Sequence, residues 1–597
     1  MKKYNNNKQK SPLGYKITTA ILTVIIVLMT AFMAVTLPTN WFGKGVPEGW
    51  GGGSTPSTPD DGKDDDDDGD EISDDVTFDK DMGYAVDNSG IDLEGSAAVS
   101  GTTTTVDSAA NLASTLQNAK AGDTIILKGG TYKLSQRVQL TNSGEYNGYI
   151  TVKAEDGKKV VIDFSEMEFD DQNRGIQIEG DYWYWYGIEI MGAGDNGMFI
   201  GGNYNIVENC VFHHNRDTGL QLGRSISDFT SITQWPSYNY IKNCTSYNNY
   251  DNETGGENAD GFAAKLTVGY GNVFDGCISY RNSDDGWDLY AYNSNGDIGA
   301  VILYNCVAFE NGFLYETVAE FNEKVNTRSS AAEDTTRYTY DTSSGDGNGF
   351  KLGGSSMRGN VKMYNCVAFN NKLNGVTDNS NPGVLTIENV TSYNNGATVD
   401  HETGLVNGGA TGDSRANNID TARTEASYNN YKNVLSVADS YGNPGADRYR
   451  GSATNSIFYA DEGKYKQINA YEDAYNDGDD MAAAPDSSKI FAKLPYTTTA
   501  GTDGTVTVTP NITGKGNTTA HTEYRNDDQS INMGAILAIK DADAVSGTGA
   551  SLNKTGWDEY EHFYETEIDK AATEEDSVLL AVYNTLYLYT DTDAVYQ

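Results

Sequence analysis

Four aspartates and one lysine stand out by residue type and spacing. Asp260 lies in NADGFAAKL, Asp284, Asp285 and Asp288 in NSDDGWDLY, and Lys351 in NGFKLGG, each beside a Gly that opens a short alternating stretch. Alternation points Asp288 and Lys351, each two places after its Gly, to the same side of a sheet. Asp260 and Asp285, each just before its Gly, occupy equivalent turns. If the three stretches are neighbouring strands, equivalent residues come within about 5 Å of one another. Carboxylates that close repel unless they are protonated or bridged by a cation, and a set of oxygens without Cys or His suits Ca2+ better than zinc. Aspartates at turns that bond only to backbone are the plain alternative. The clustering of four of them beside an outward lysine favours a calcium site.

Such a site needs a scaffold that stacks distant segments in register, and the sequence carries one. The strings NCVFHHN (209–215), NCTSYNN (243–249), GCISYRN (276–282), NCVAFEN (305–311), NCVAFNN (365–371) and NVTSYNN (389–395) share one pattern. All five cysteines, Cys210, Cys244, Cys277, Cys306 and Cys366, take its second place. In a solenoid, equivalent places in successive coils lie one strand spacing apart, so these thiols are expected as a buried ladder of small apolar groups. The fifth place gives an aromatic stack from His213 to Tyr393, in which His213 has no catalytic role, and the last place gives an Asn ladder. A companion strand opens at Gly197, Gly219, Gly261, Gly286, Gly349, Gly375 and Gly404. The residues one and three places on face inward; Phe199, Gln221, Ala263, Asp288, Lys351, Thr377 and Val406, two places on, face outward. Coils of 22 to 29 residues with insertions at 224–256 and 313–345 indicate an all-β parallel β-helix, capped at its N-terminus by a helix within 106–120 that buries Leu112 and Leu116.

Length and charge bound the rest. The 597 residues carry a formal charge of −43, which argues against a nucleic-acid partner, because phosphates are bound by clustered Lys and Arg. Residues 1–37 combine an early run of lysines with an apolar stretch at 17–37, the layout of a signal peptide or a membrane signal anchor. Residues 38–80 are a Gly, Ser, Pro and Asp linker, in which twelve carboxylates face a single lysine between Asp60 and Asp79. The β-helix is expected over 81–552 and a tail or cap over 553–597. The chain is therefore expected as a secreted or cell-surface monomer.

The combination of ADGF, DDGWD, NGFKLGG and the NCVAFNN ladder resembles the family 9 polysaccharide lyases, strongest between residues 256 and 371. The resemblance implies a right-handed parallel β-helix and calcium-dependent β-elimination of polygalacturonate, with Asp260, Asp284, Asp285 and Asp288 as ligands and Lys351 as the base. Lys324, in the insertion that precedes Lys351, lacks the NGF context and is a weaker base. Lys265, Arg224 and Arg281 are candidates for pairing with substrate carboxylates. A neutral lysine is required to take the C5 proton of a uronate, so an alkaline optimum is expected. The competing readings are a rhamnogalacturonan lyase, which shares the uronate and the elimination, a polygalacturonase-like hydrolase, and a non-catalytic carbohydrate-binding β-helix. A hydrolase would set carboxylates across a cleft with water between them, whereas here the carboxylates have a lysine at their side.

Overall fold

The computed structural model describes residues 99–549 apart from several gaps, the longest at 326–344, 409–415, 511–521 and 540–548. The apolar 17–37 segment, the acidic linker and the 553–597 tail lie outside the described residues. Among the described residues no helix is long and apolar enough to cross a membrane.

Short strands of two to seven residues wind into a parallel β-helix with three faces. The first face stacks Ile176–Ile178, Met198–Ile200, Leu220–Leu222, Phe262–Ala264, Trp287–Asp288, Phe350–Lys351, Val376–Thr377 and Ile419–Thr421. Its register aligns Met198, Leu220, Phe262, Trp287, Phe350 and Val376 inside. Phe199, Gln221, Ala263, Asp288, Lys351 and Thr377 are aligned on the outer side, as the alternation predicts. The second face carries Ile206–Glu208 through Asn429–Lys432, and the third Val211–His213 through Leu435–Val437. Inside, each coil contributes one or two large apolar side chains per face, with Trp183, Trp185 and Trp287 wholly buried. Within the strands the backbone groups bond to the coils above and below, and the side chains of each coil fill the bore between the faces.

The three sequence ladders are present. All five cysteines are free and buried, and the Sγ of Cys244, for example, donates to Val207 O at 3.3 Å. His213, Tyr247, Tyr280, Phe309 and Phe369 stack with centroids 4.9 to 5.0 Å apart. The Asn ladder runs from Asn215 to Asn395, each rung giving its backbone N–H to the side-chain oxygen of the next. The glycines that open the first-face strands follow from this ladder: a Cβ at Gly286 would lie 2.8 Å from Asn311 Nδ2 and closer still to Gly349 O.

The ends are closed in different ways. Helix α1 (Ala109–Asn118), capped by the Ser108 hydroxyl, lays Leu112 and Leu116 over the first coil. Towards the C-terminus the outer side of the third face turns apolar, with Ile278, Val307, Val367 and Leu435, and it is covered by Ile490, Phe491, Tyr524, Ile531 and Leu537. Arg525 fastens this wrap, donating to Cys244 O at 2.6 Å and to Gln529 O at 3.0 Å.

Two sequence expectations need correction. The strand after Gly404, Leu405–Gly408, is no coil strand; it pairs antiparallel with Ala397–Asp400. The first face continues instead at Ile419 and Asp420, with Asn418 in the place the glycines take in earlier coils, so the expected signal is missing there. The insertion at 224–256 is two loops, because Tyr240–Lys242 and Thr245–Tyr247 between them are regular coil strands.

Candidate functional site

The outer side of the first face brings the charged strings together. Asp260, Asp284 and Asp285 each place a carboxylate oxygen within 4.8 Å of the others, all three buried. The stacking that aligns Phe262 with Trp287 puts the turns before these strands one coil apart, so Asp260 and Asp285 are successive rungs. Asp285 N–H donates to Asp260 Oδ1 at 3.1 Å, and Asn348, on the next rung, gives both its N–H and its Nδ2 to Asp285 Oδ1, at 2.6 and 2.8 Å. Asp284 is held by backbone N–H groups from two loops, Asn258 at 3.1 Å and Asp346 at 2.8 Å. One oxygen of each aspartate rung is therefore fixed by the fold. The second oxygen of Asp260 meets the Thr218 hydroxyl at 3.1 Å and Lys265 Nζ at 2.9 Å. The second oxygen of Asp285 is buried, accepts no hydrogen bond among the described residues, and lies 3.3 Å from Lys351 Nζ.

Asp288 stands beside this group, not inside it. It is the lateral neighbour of Lys351 in the strand register, and it lies between two ammonium groups, Lys265 Nζ at 3.5 Å and Lys351 Nζ at 3.8 Å. The ring of Tyr290 flanks Lys351, its centroid 5.6 Å from Nζ. Lys372 closes the edge, half-buried and bonded to Gly345 O at 2.6 Å.

Burial and crowding set the protonation states. Burial lifts the carboxyl of Asp260 well above the usual range; Lys265 draws it down, and the charges of Asp288 and Asp284 push it up again. Asp285 is raised in the same way, by burial first and then by Asp284, with Lys351 opposing. Burial alone would lower Lys351, but the charges of Asp288, Asp285, Asp284 and Asp346 outweigh it and hold the ammonium well above an ordinary lysine. A group of carboxylates that resists losing all its protons, made only of oxygens and with one buried oxygen lacking a hydrogen bond, fits a hard divalent cation such as Ca2+.

The other sequence candidates are placed apart or differently. Lys265 joins the site as a buried partner of Asp260 and Asp288. Arg224 donates to Phe229 O at 2.9 Å within its own loop. Arg281 is buried against Glu310, Nε to Oε2 2.8 Å, with its guanidinium 4.8 Å above the ring of Tyr315. Lys324 sits at the end of helix α2 (Val318–Lys324), on Glu316 and 3.2 Å from His214 Nε2. His213 belongs to a chain that runs from Glu189 through His213 and His214 to Glu316. Sequence reasoning missed Thr218 and Asn348, although both carry the available signal: each immediately precedes the Gly of its coil, as Asp260 and Asp285 do.

Fold and site together define a parallel β-helix with a buried carboxylate cluster on one outer face. Residues 91–417 match the family described as "Pel9A-like, right handed beta helix region", and the chain belongs to that family. The sequence is 45% identical over 287 residues to pectate lyase L of Paenibacillus polymyxa, covering 48% of this chain and 59% of the relative. It is 31% identical over 309 residues to pectate lyase PEL9 of Emericella nidulans, covering 47% of this chain and 67% of the relative. The chain thus spans about three fifths of the length of the first of these. A solved structure of pectate lyase Pel9A superposes with a TM-score of 0.45 at 26% identity, over 70% of this chain and 91% of that one. The resemblance read from the strings between 256 and 371, and the right-handed β-helix it implies, are borne out.

Proposed function

We propose that this chain is a calcium-dependent pectate lyase that cleaves de-esterified polygalacturonate by β-elimination. One observation carries the reading: Lys351 shares its outer face with the group of Asp260, Asp284 and Asp285, its Nζ 3.3 Å from Asp285 Oδ2. The pectate lyases among the relatives support it.

Asp260, Asp284 and Asp285, with Asp288 alongside, would hold the ion. A bound Ca2+ supplies positive charge that pairs with the uronate carboxylate and offsets the negative charge that builds as C5 loses its proton. Lys351 in its neutral form takes that proton onto Nζ; the C5 electron pair forms the C4–C5 double bond, and the C4–O bond breaks towards the leaving sugar. The Tyr290 ring and Asp288 flank the Lys351 amine. Because the neighbouring aspartates raise Lys351, the neutral fraction grows only at alkaline pH, and turnover rises with pH through that range. The proposed setting is outside the cell, with residues 17–37 as export signal or anchor, residues 38–80 as spacer and the chain acting as a monomer. Incubation with polygalacturonate and Ca2+ should give rising ultraviolet absorbance from the unsaturated uronide, abolished by chelator and restored by added Ca2+. Reducing ends without absorbance, or absorbance indifferent to chelator, would overturn the reading.

A further inference from the structure

The turn position that carries Asp260 and Asp285 can be followed towards the N-terminus. The register of Ile176, Met198, Leu220 and Phe262 aligns the residues two places before them, so Arg174, Asn196, Thr218 and Asp260 occupy the same place in four successive coils. Arg174 therefore lies three coils, about 14 Å, from the first carboxylate of the cluster. Its guanidinium rests 3.6 Å above the ring of Phe199, an outward residue of the first face, so the planar group lies flat on the outer floor. Nε faces Asp195 Oδ2 at 3.3 Å and Nη1 faces Gln177 Oε1 at 3.4 Å, both long contacts, and no hydrogen bond from Nη2 is formed among the described residues. The side chain is 19% exposed. One coil further out Arg137 converges on the same Gln177 oxygen at 3.2 Å.

Between Arg174 and the cluster the outward residues Phe199, Gln221 and Ala263 are uncharged, while Asp195 and Asp217 stand in the turns beside this row. Asp195, paired with Arg174 at 3.3 Å, is pushed up by burial and by the neighbouring Asp217. A fork with spare donors, held flat by an aromatic ring and in line with the carboxylate cluster, suits a carboxylate that arrives from outside. A polyuronate presents one such group on every sugar.

We propose that Arg174 is a substrate-binding residue that grips the carboxylate of a hexuronate unit several sugars upstream of the one held at the Asp260, Asp284 and Asp285 group. This inference rests on the lyase reading for its substrate class. It makes affinity depend on chain length, because only a chain long enough to cross the Gln221 and Ala263 floor reaches Arg174. In the full-length protein, Arg174→Ala should raise KM for polygalacturonate about tenfold, the worth of one charge-assisted fork, with kcat retained. KM for the trimer should be unmoved, and Arg174→Lys should recover part of the affinity. Equal KM changes on polymer and trimer, or a loss of thermal stability with no KM change, would overturn the proposal and leave Arg174 as a cover for Phe199. Gel retardation by immobilised polygalacturonate separates this test from the lyase reading. A Lys351→Ala protein should be retarded, and adding Arg174→Ala should reduce the retardation; retardation that is absent from the start, or equal in both, rejects the subsite whether or not the wild type cleaves.

Discussion

Two ladders of turn residues climb the same solenoid, and only one of them holds charge. The first runs Asn215, Asn249, Asn282, Asn311, Asn371 and Asn395, amide on amide, each side-chain oxygen accepting from the rung on its N-terminal side. The second runs Thr218, Asp260, Asp285, Asn348, Asn374 and Asn417, and its bonds point the other way: Asn417 N–H donates to Asn374, Asn374 to Asn348, and Asn348 to Asp285. A ladder that passes donors in one direction can end on acceptors, and a carboxylate is an Asn whose NH2 has been exchanged for a second acceptor. Each aspartate keeps the structural bond on Oδ1 and turns Oδ2 towards its neighbours. The difference between scaffold and site is thus one atom per rung, set in a ladder whose polarity tolerates it.

The largest expected effect comes from erasing that atom. Asp285→Asn should leave the rung intact, since the new NH2 can donate to Asp260 Oδ1 as Asn374 does to Asn348. It removes the charge beside Lys351, and lyase activity should fall about 10³-fold or more, the range for losing a preorganised charged group at the reacting centre. Calorimetry checks the other half: Ca2+ should raise the Tm of the wild type and leave that of the variant where it was. The reverse change, Asn282→Asp in the amide ladder, should destabilise by about 3 kcal/mol, because the new oxygen faces Asn311 Oδ1 at 3.0 Å in a fully buried place. Burial raises such a carboxyl, so the penalty is absent below about pH 4 and grows as pH rises towards the folded-state pKa. Urea unfolding at pH 4 and pH 8 would show it, and equal stabilities would sink the claim that the two ladders differ in what they tolerate.

A third test concerns the lysine. Asp288 lies 3.8 Å from Lys351 Nζ and heads the charges that hold it up. With Asp288→Asn the ammonium loses stabilisation, its pKa falls, and the neutral fraction at a given pH rises. The acid limb of the pH–rate profile should therefore move about one unit towards lower pH at saturating Ca2+, even where the maximal rate drops. A limb that stays in place would mean that another group sets it.

The amide ladder, the Asp260 and Asp285 rungs of the charged one and the outward row were legible in the sequence, because each depends on spacing within one short string repeated at the next coil. Asp260 over Asp285, and Asp288 beside Lys351, follow from counting places after a Gly. Relations set by side-chain reach or by long loops were not legible. Lys265 stands four places after Gly261, beyond the strand, and nothing local indicates that its ammonium folds back onto Asp260. The Gly404 coil failed because the 397–408 hairpin carries its own β-forming residues, while the true coil start holds Asn418, whose side chain joins the amide ladder by accepting from Asn395 N–H at 2.9 Å.

The smallest expected effect lies furthest from the charged ladder, in the cysteines. Cys244 is fully buried, its one S–H shared between Val207 O and Lys242 O, each 3.3 Å from Sγ, and its own carbonyl accepts from Arg525 of the C-terminal wrap. Serine keeps the donor but is smaller and costs more to desolvate, so Cys244→Ser should lose about 1 kcal/mol, with kcat and KM unchanged. The thiols act as apolar filler whose weak donors meet carbonyls already bonded along the coil. If that is their whole role, a thiol reagent should find none of the five reactive in the folded protein and all five after unfolding in guanidinium. A thiol that reacts in the native state, or a Cys244→Ser protein with altered turnover, would show that the inert side of the solenoid communicates with the charged one.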